Sequence, residues 1–327
     1  MAGDVTIACI GAGRMGRGIA QCVAYAGHEV RLIDAKERDA EAFAKLRDEA
    51  LEEIRTALAS IAALGAFRVD AVPQIMDRVS VVPRGEAAAG LAGVRIVFEG
   101  VPEVANAKRD AFALFDTHAE GDAVLASTTS TMLSTELAGF TAAPERFLNA
   151  HWLNPAFLMP LVELSPANET TEETTAFVRA FLEGIGKVPI VCKASPGYIV
   201  PRIQALAMNE AARIVEEGVA SAEDVDKAVT YGFGLRFGVL GLLEFIDWGG
   251  GDILYYASRY LAGAFDDERY AAPDIIGRNM EEGRIGLKTG SGFFDYADMD
   301  VDAYRQRRMA AFLKALDNAG LVRPPVL

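Results

Sequence analysis

The sequence predicts an α/β protein, with a doubly wound, mostly parallel sheet over residues 1–194 and an all-α domain over 195–327. Three observations carry this. Apolar strand-like runs alternate with helical patterns up to Cys192. A glycine-rich turn joins the first strand to the first helix. Beyond Ala194-Ser195-Pro196-Gly197 the patterns are helical.

Val5 to Ile10 is a short apolar run of the kind that forms a strand buried on both faces. It leads into Gly11-Ala12-Gly13-Arg14-Met15-Gly16, followed by a helical pattern through Ile19, Val23 and Ala26. Gly11 permits the tight turn, Gly13 lets backbone approach a pyrophosphate, and Gly16 lets helix and strand pack closely. The helix N-terminus offers N–H groups and a positive dipole end to phosphates. A second apolar run, Glu29 to Ile33, ends on Asp34, eighteen residues after Gly16. Strand, glycines, helix, strand and acid in that order specify a Rossmann-type dinucleotide site, with Gly11, Gly13, Met15, Gly16 and Asp34 at the cofactor. Asp34 can accept both hydroxyls of an adenosine ribose and would repel a 2′-phosphate, which favours NAD over NADP. Lys36 and Arg38 could hold such a phosphate; they read instead as solvated residues at a helix start.

A long helix is expected over Glu37–Leu64, closed by Gly65, and a short strand over Val79–Val82. Strands follow at Val94–Glu99 and Ala123–Ser127, with a helix between Glu103 and Thr117. Phe147–His151 and Leu161–Ser165 read as two strands around a proline-bounded loop. Thr170–Ile185 reads as a helix with Glu172 and Glu173 in its first turn, and Lys187–Cys192 as the last strand. The later helices are Pro201–Glu217, Ser221–Thr230, Val239–Leu261, Pro273–Glu282 and Val301–Ala319, with Ser221 a cap. Lys288 to Tyr296, reading KTGSGFFDY, is a turn and a short extended piece.

The net charge of −14 argues against nucleic acid and anionic membranes as partners. Cys9, Cys22 and Cys192 are an odd, scattered set in apolar segments, read as reduced thiols in the cytoplasm. No secretory leader is evident in Met1-Ala2-Gly3-Asp4, and no run of eighteen apolar residues occurs. No metal site is expected.

His151-Trp152-Leu153-Asn154-Pro155 stands twelve residues before Glu163. A histidine at a strand end can serve as general base, and a glutamate on the next strand can hold its other nitrogen. Read alone, the pair fits equally a structural histidine and a buried ion pair; the dinucleotide context favours catalysis. His28 and His118 read as structural.

The segments IGAGRMGRGIA, FEGVPEVANAK, LASTTSTM, HWLNPAFLMPLVEL, ASPGYIV and GLKTGSGFFDY, in this order, make the chain similar to the 3-hydroxyacyl-CoA dehydrogenase family over nearly its whole length. The resemblance implies that His151 takes the substrate hydroxyl proton and that Glu163 orients it. It implies that Ser130 contacts the reacting oxygen, with Asn154 beside it near the nicotinamide. Glu103 and Lys108 match positions at the nicotinamide-ribose end. The implied reaction is NAD-dependent oxidation of an L-3-hydroxyacyl-CoA to the 3-ketoacyl-CoA, as in fatty acid metabolism.

Two departures qualify this. Pro201 stands where the family has an asparagine after its PGF-I-V segment, leaving Gln204 as a candidate substitute. The helix after Asp34 mixes Lys45, Arg47 and Arg55 with five acids and lacks the lysine-rich character expected where a CoA 3′-phosphate docks. Arg236, in Gly234-Leu235-Arg236-Phe237, resembles the free-acid relatives, gulonate and carnitine dehydrogenases. That makes Arg236 a candidate substrate-binding residue, with a salt bridge to Glu244 or Asp247 as the competing reading. A free 3-hydroxy carboxylate is thus the alternative substrate, and an NAD-binding protein without turnover a third reading. The apolar stretch from Phe237 to Leu261 predicts a homodimer.

Overall fold

The structure, a computed structural model, describes residues 5–326. Eight strands form one sheet in the order β3-β2-β1-β4-β5-β6-β7-β8. They are β1 Ile7–Ile10, β2 Val30–Ile33, β3 Val79–Val82, β4 Ile96–Glu99, β5 Val124–Ser127, β6 Phe147–Trp152, β7 Leu161–Pro166 and β8 Val188–Val191. β6 pairs antiparallel with β7, and the other pairings are parallel.

Strand alternation divides the core into two layers. Ile7 and Cys9, Ile96 and Phe98, and Val124 and Ala126 enter one layer. They meet Ile19 and Val23 of α1 (Arg14–Tyr25) and Ile54 and Leu58 of α2 (Ala40–Ala63). Ala8, Ile10, Val97 and Leu125 enter the other, against Phe112 and Phe115 of α3 (Ala105–His118). Val178 and Leu182 of α4 (Glu172–Gly184) return to the first layer. Cover on both faces is why these strands read as continuous apolar runs. Asp39 caps α2 by accepting from the Ala42 N–H at 2.8 Å, and Thr171 caps α4 likewise from Thr174. The short helices Val72–Met76, Ala87–Leu91 and Ser134–Leu137 were not expected, being too short to show a period.

One compact unit ends at Ala207 and the second begins at Met208, inside α5 (Val200–Glu216), whereas the change of sequence pattern falls at 194/195. The physical reason is Glu163, whose Oε1 accepts from the Ile199 and Val200 N–H groups at 2.9 and 2.8 Å. The start of α5 is thereby tied to β7. Val200 is already helical, so Pro201 is the second helical residue rather than the first; its missing N–H costs nothing in a first turn.

The second unit contains α6 (Ala222–Ala228), α7 (Leu242–Gly249), α8 (Gly251–Phe265), α9 (Asp274–Glu281) and α10 (Val301–Asn318). The single helix expected over Val239–Leu261 is therefore two. Gly250, at φ +106°, takes a left-handed turn that a helix cannot continue through. The KTGSGFFDY segment wraps the buried Asp247 carboxylate, which accepts from the Phe293 and Phe294 N–H groups and the Tyr296 hydroxyl at 3.0, 2.9 and 3.1 Å.

Candidate active site

The sheet order reverses between β1 and β4, which places a crevice at the ends of those strands. Gly11 turns out of β1 at φ +112°. A Cβ on Gly16 would lie 2.0 Å from the Gly11 carbonyl oxygen, so the helix seats there only as glycine. At Gly13 a Cβ would meet nothing within 4 Å, and α1 carries no side-chain cap. The turn is closed underneath and open above, with first-turn N–H groups facing the opening, as a bound pyrophosphate requires. Met15 lies in that first turn, packed against the first core layer.

Asp34 follows β2 and is buried. Its Oδ2 accepts from Arg38 Nε at 2.6 Å and its Oδ1 from the Lys36 N–H at 3.1 Å. Arg38 is thus an ion-pair partner of Asp34, not the solvated residue its position suggested. A carboxylate has lone pairs enough to serve both Arg38 and a ribose.

Glu103 is a hub. It accepts from Thr129 Oγ1 at 2.7 Å, from the Ser130 N–H at 2.6 Å and from Ser130 Oγ at 3.3 Å, and it faces Lys108 Nζ at 3.2 Å. Burial alone would raise its pKa. The Lys108 charge and the Thr129 and Ser130 hydrogen bonds outweigh that and hold it below its ordinary 4.5. Lys108 is fully buried and also pairs with Glu99 at 2.9 Å. Its ammonium is thus shared between Glu99 and Glu103. Glu99 is a site residue the sequence reading passed over as part of a strand.

His151 and Glu163 are opposite residues of the β6–β7 ladder, and Nδ1 lies 2.8 Å from Oε2. Glu163 Oε1 accepts the two backbone N–H groups, and Oε2 is placed to accept from Nδ1–H in the tautomer a general base at Nε2 requires. Nε2 is left with its lone pair. The His151 ring stacks on Tyr198, centroids 5.1 Å apart and planes within 5°.

Asn154 is exposed and lines a groove of about 430 Å³ with Arg14, Arg17 and Gln21 of α1 and Glu53 of α2. Lys187 pins the backbone beyond it, donating to the Ala156 and Met159 carbonyls at 2.5 and 3.0 Å. The Gln204 side chain is exposed and makes no hydrogen bond to any described residue, so no contact supports it in the asparagine's role. Arg236 belongs to the second unit, its guanidinium 4.7 Å from the Phe245 ring centroid.

The family model for the 3-hydroxyacyl-CoA dehydrogenase NAD-binding domain matches residues 6–195, and that for the C-terminal domain residues 197–296. This chain belongs to the 3-hydroxyacyl-CoA dehydrogenase family. It is 32% identical to the 3-hydroxybutyryl-CoA dehydrogenase of Clostridioides difficile over 89% of this chain and 99% of that protein. It is 31% identical to a 5-formyl-3-hydroxy-2-methylpyridine 4-carboxylate 5-dehydrogenase of Mesorhizobium japonicum over 95% of this chain and 98% of that one. A solved 3-hydroxyacyl-CoA dehydrogenase of Archaeoglobus fulgidus superposes with a TM-score of 0.75 at 32% identity, covering 97% of this chain and all of that one. Membership makes the chain an NAD-dependent oxidoreductase, in keeping with the cradle at Gly11–Gly16. These relatives are named for both CoA thioester and free carboxylate substrates.

Proposed function

We propose that this chain oxidises the L-3-hydroxyl of a 3-hydroxyacyl substrate to the 3-ketone. One observation carries the reading: Glu163 uses one oxygen to hold two backbone N–H groups and the other to hold His151 Nδ1. His151 Nε2 then takes the alcohol proton, and the carboxylate stabilises the imidazolium. Ser130 is held by Glu103 through its N–H, and its hydroxyl, turned from Glu103 towards the substrate, donates to the oxygen that loses its proton; the family resemblance adds Asn154 as a second donor. NAD, when bound, supplies the hydride acceptor.

For the acyl group the first reading is a CoA thioester, supported by the similarity to 3-hydroxybutyryl-CoA dehydrogenase. A second reading, a free 3-hydroxy carboxylate, is favoured by the placement of the cations. On α2, Lys45 pairs with Glu49 at 3.9 Å, Arg47 with Asp48 at 2.9 Å and Arg55 with Glu52 at 4.0 Å, while Glu53 holds Arg17. Little positive charge is left there for a 3′-phosphate. Arg236, by contrast, has no carboxylate partner among the described residues. Glu244 is held by Tyr304 and Arg308, and Asp247 by Phe293, Phe294 and Tyr296. Neither acid is paired with Arg236, and a guanidinium without an acid suits a substrate carboxylate. NADH formation from L-3-hydroxybutyryl-CoA and from free L-3-hydroxybutyrate, measured side by side, separates the two. Turnover of neither, with longer acyl-CoAs and hydroxy acids also inert, overturns the proposal.

The second unit leaves Ile253, Tyr256 and Tyr260, on one face of α8, more than half exposed. A second copy of the chain is the proposed cover for this stripe, and sedimentation at micromolar concentration tests it. Cys9 and Cys22 are unpaired and buried, which supports the cytoplasm as the compartment.

A further inference from the structure

Tyr198 belongs to no part of the chemistry described so far, yet three features converge on it. It is buried at φ +45°, a left-handed backbone that a bulky residue adopts only when its surroundings force it. Its ring lies flat on the His151 imidazole. Its hydroxyl donates to the Thr129 carbonyl at 2.9 Å and accepts from Asn149 Nδ2 at 2.9 Å. Asn149 is itself fully buried and shares β6 with His151, two residues upstream.

These contacts form one continuous chain. Thr129 is the residue before Ser130, and its Oγ1 and the Ser130 N–H both bind Glu103. On the other side, the residues after Tyr198 hold Glu163, which holds His151 Nδ1. The base and the hydroxyl donor stand on different strands, β6 and the loop after β5, and Tyr198 touches the support of both. We propose that Tyr198 is a positioning residue, whose stacked ring and bridging hydroxyl fix His151 relative to Ser130. The inference rests on His151 being the base. Burial pushes the phenol well above its ordinary pKa, so the hydroxyl stays protonated and is neither a base nor an acid in turnover.

The mechanism of effect is geometric. Releasing the Thr129 carbonyl lets the loop carrying Ser130 shift against His151, and small misplacements of reacting groups are costly in rate. Tyr198→Phe keeps the ring stack and removes only the hydroxyl. It should lower kcat roughly tenfold while KM, NAD affinity and the thermal midpoint stay close to wild type. Asn149→Ala removes the other tie on the same hydroxyl. Asn149 Nδ2 also donates to the Met132 carbonyl at 2.9 Å, so Asn149→Ala should cost at least as much as Tyr198→Phe, and the double variant should fall short of the product of the two losses because they share the Tyr198 hydroxyl. A wild-type kcat in Tyr198→Phe, a loss confined to KM, or a loss that follows the unfolded fraction overturns the proposal. His151→Gln is measured alongside: near-normal activity there overturns the base assignment itself, which Tyr198→Phe alone would not reveal.

Discussion

His151 and Glu163 face each other directly across the antiparallel β6–β7 pairing, with Nδ1 2.8 Å from Oε2. The carboxylate on β7 fixes the tautomer of the imidazole on β6. His151→Gln should lower kcat by roughly 10²–10⁴ while NAD still binds. Glu163→Gln is the sharper variant. Its amide oxygen can keep the Ile199 and Val200 N–H groups, while its NH₂ forces Nδ1 to become the acceptor. Near-normal stability with a comparably reduced kcat is expected. A protein that mainly unfolds would make Glu163 a structural anchor instead.

Asp34 and Arg38 make the second prediction. With Asp34→Ala the ribose loses its acceptor and Arg38 loses its partner, freeing a guanidinium beside the 2′ position. The ratio of kcat/KM for NAD over NADP should fall, and Asp34→Ala/Arg38→Ala should lose NADP use again. An unchanged ratio would mean that the ribose is read elsewhere.

Lys108 is a buried cation between two acids, so its loss should appear first as instability. Lys108→Met leaves Glu99 at zero exposure without its cation, with only the Val101 N–H and Ser127 Oγ donating to it, and should cost about 3–5 kcal/mol of stability in denaturant unfolding. A stable variant with weakened NAD binding alone would restore a direct cofactor role.

Glu103 gives a pH dependence. Its pKa is lower in the folded protein than its ordinary 4.5, so its contribution is fully present above that value and disappears as pH falls through the depressed one. The difference in thermal midpoint between wild type and Glu103→Gln should be constant at neutral pH and shrink on acidification below the ordinary value. A difference that grows with acid would reverse the assigned sign.

Arg236→Met tests the acyl group. If the substrate is a free acid, KM should rise roughly ten- to a hundredfold, an ion-pair loss of about 1.5–3 kcal/mol. A neutral acyl-CoA should be little affected. No effect on either substrate retires Arg236 as a carboxylate anchor.

Much of the site was legible because its signals are local. Gly11, Gly13, Gly16 and Asp34 are tied to one strand–turn–helix–strand unit, and His151 and Glu163 lie on consecutive strands. Tyr198 was visible only as a letter in ASPGYIV, since nothing in that segment says that its ring reaches β6. Asn149 and Glu99 likewise sit inside buried strands, where a polar residue reads as an interruption until its partner is known.

What the sequence determined by itself was the eight strands, the dinucleotide turn and the pairing candidates, because continuous apolar runs and glycine spacing are set by neighbouring residues. The tertiary structure decided what depends on partners distant in sequence. It assigned Arg38 to Asp34, buried Lys108 between Glu99 and Glu103, and bound the start of α5 to Glu163. It also split the apolar stretch before Leu261 at Gly250, where one left-handed residue outweighs a continuous apolar pattern. Hydrogen bonds and ion pairs are short-ranged and directional, so a pattern along the chain cannot say which donors and acceptors the fold will bring within reach.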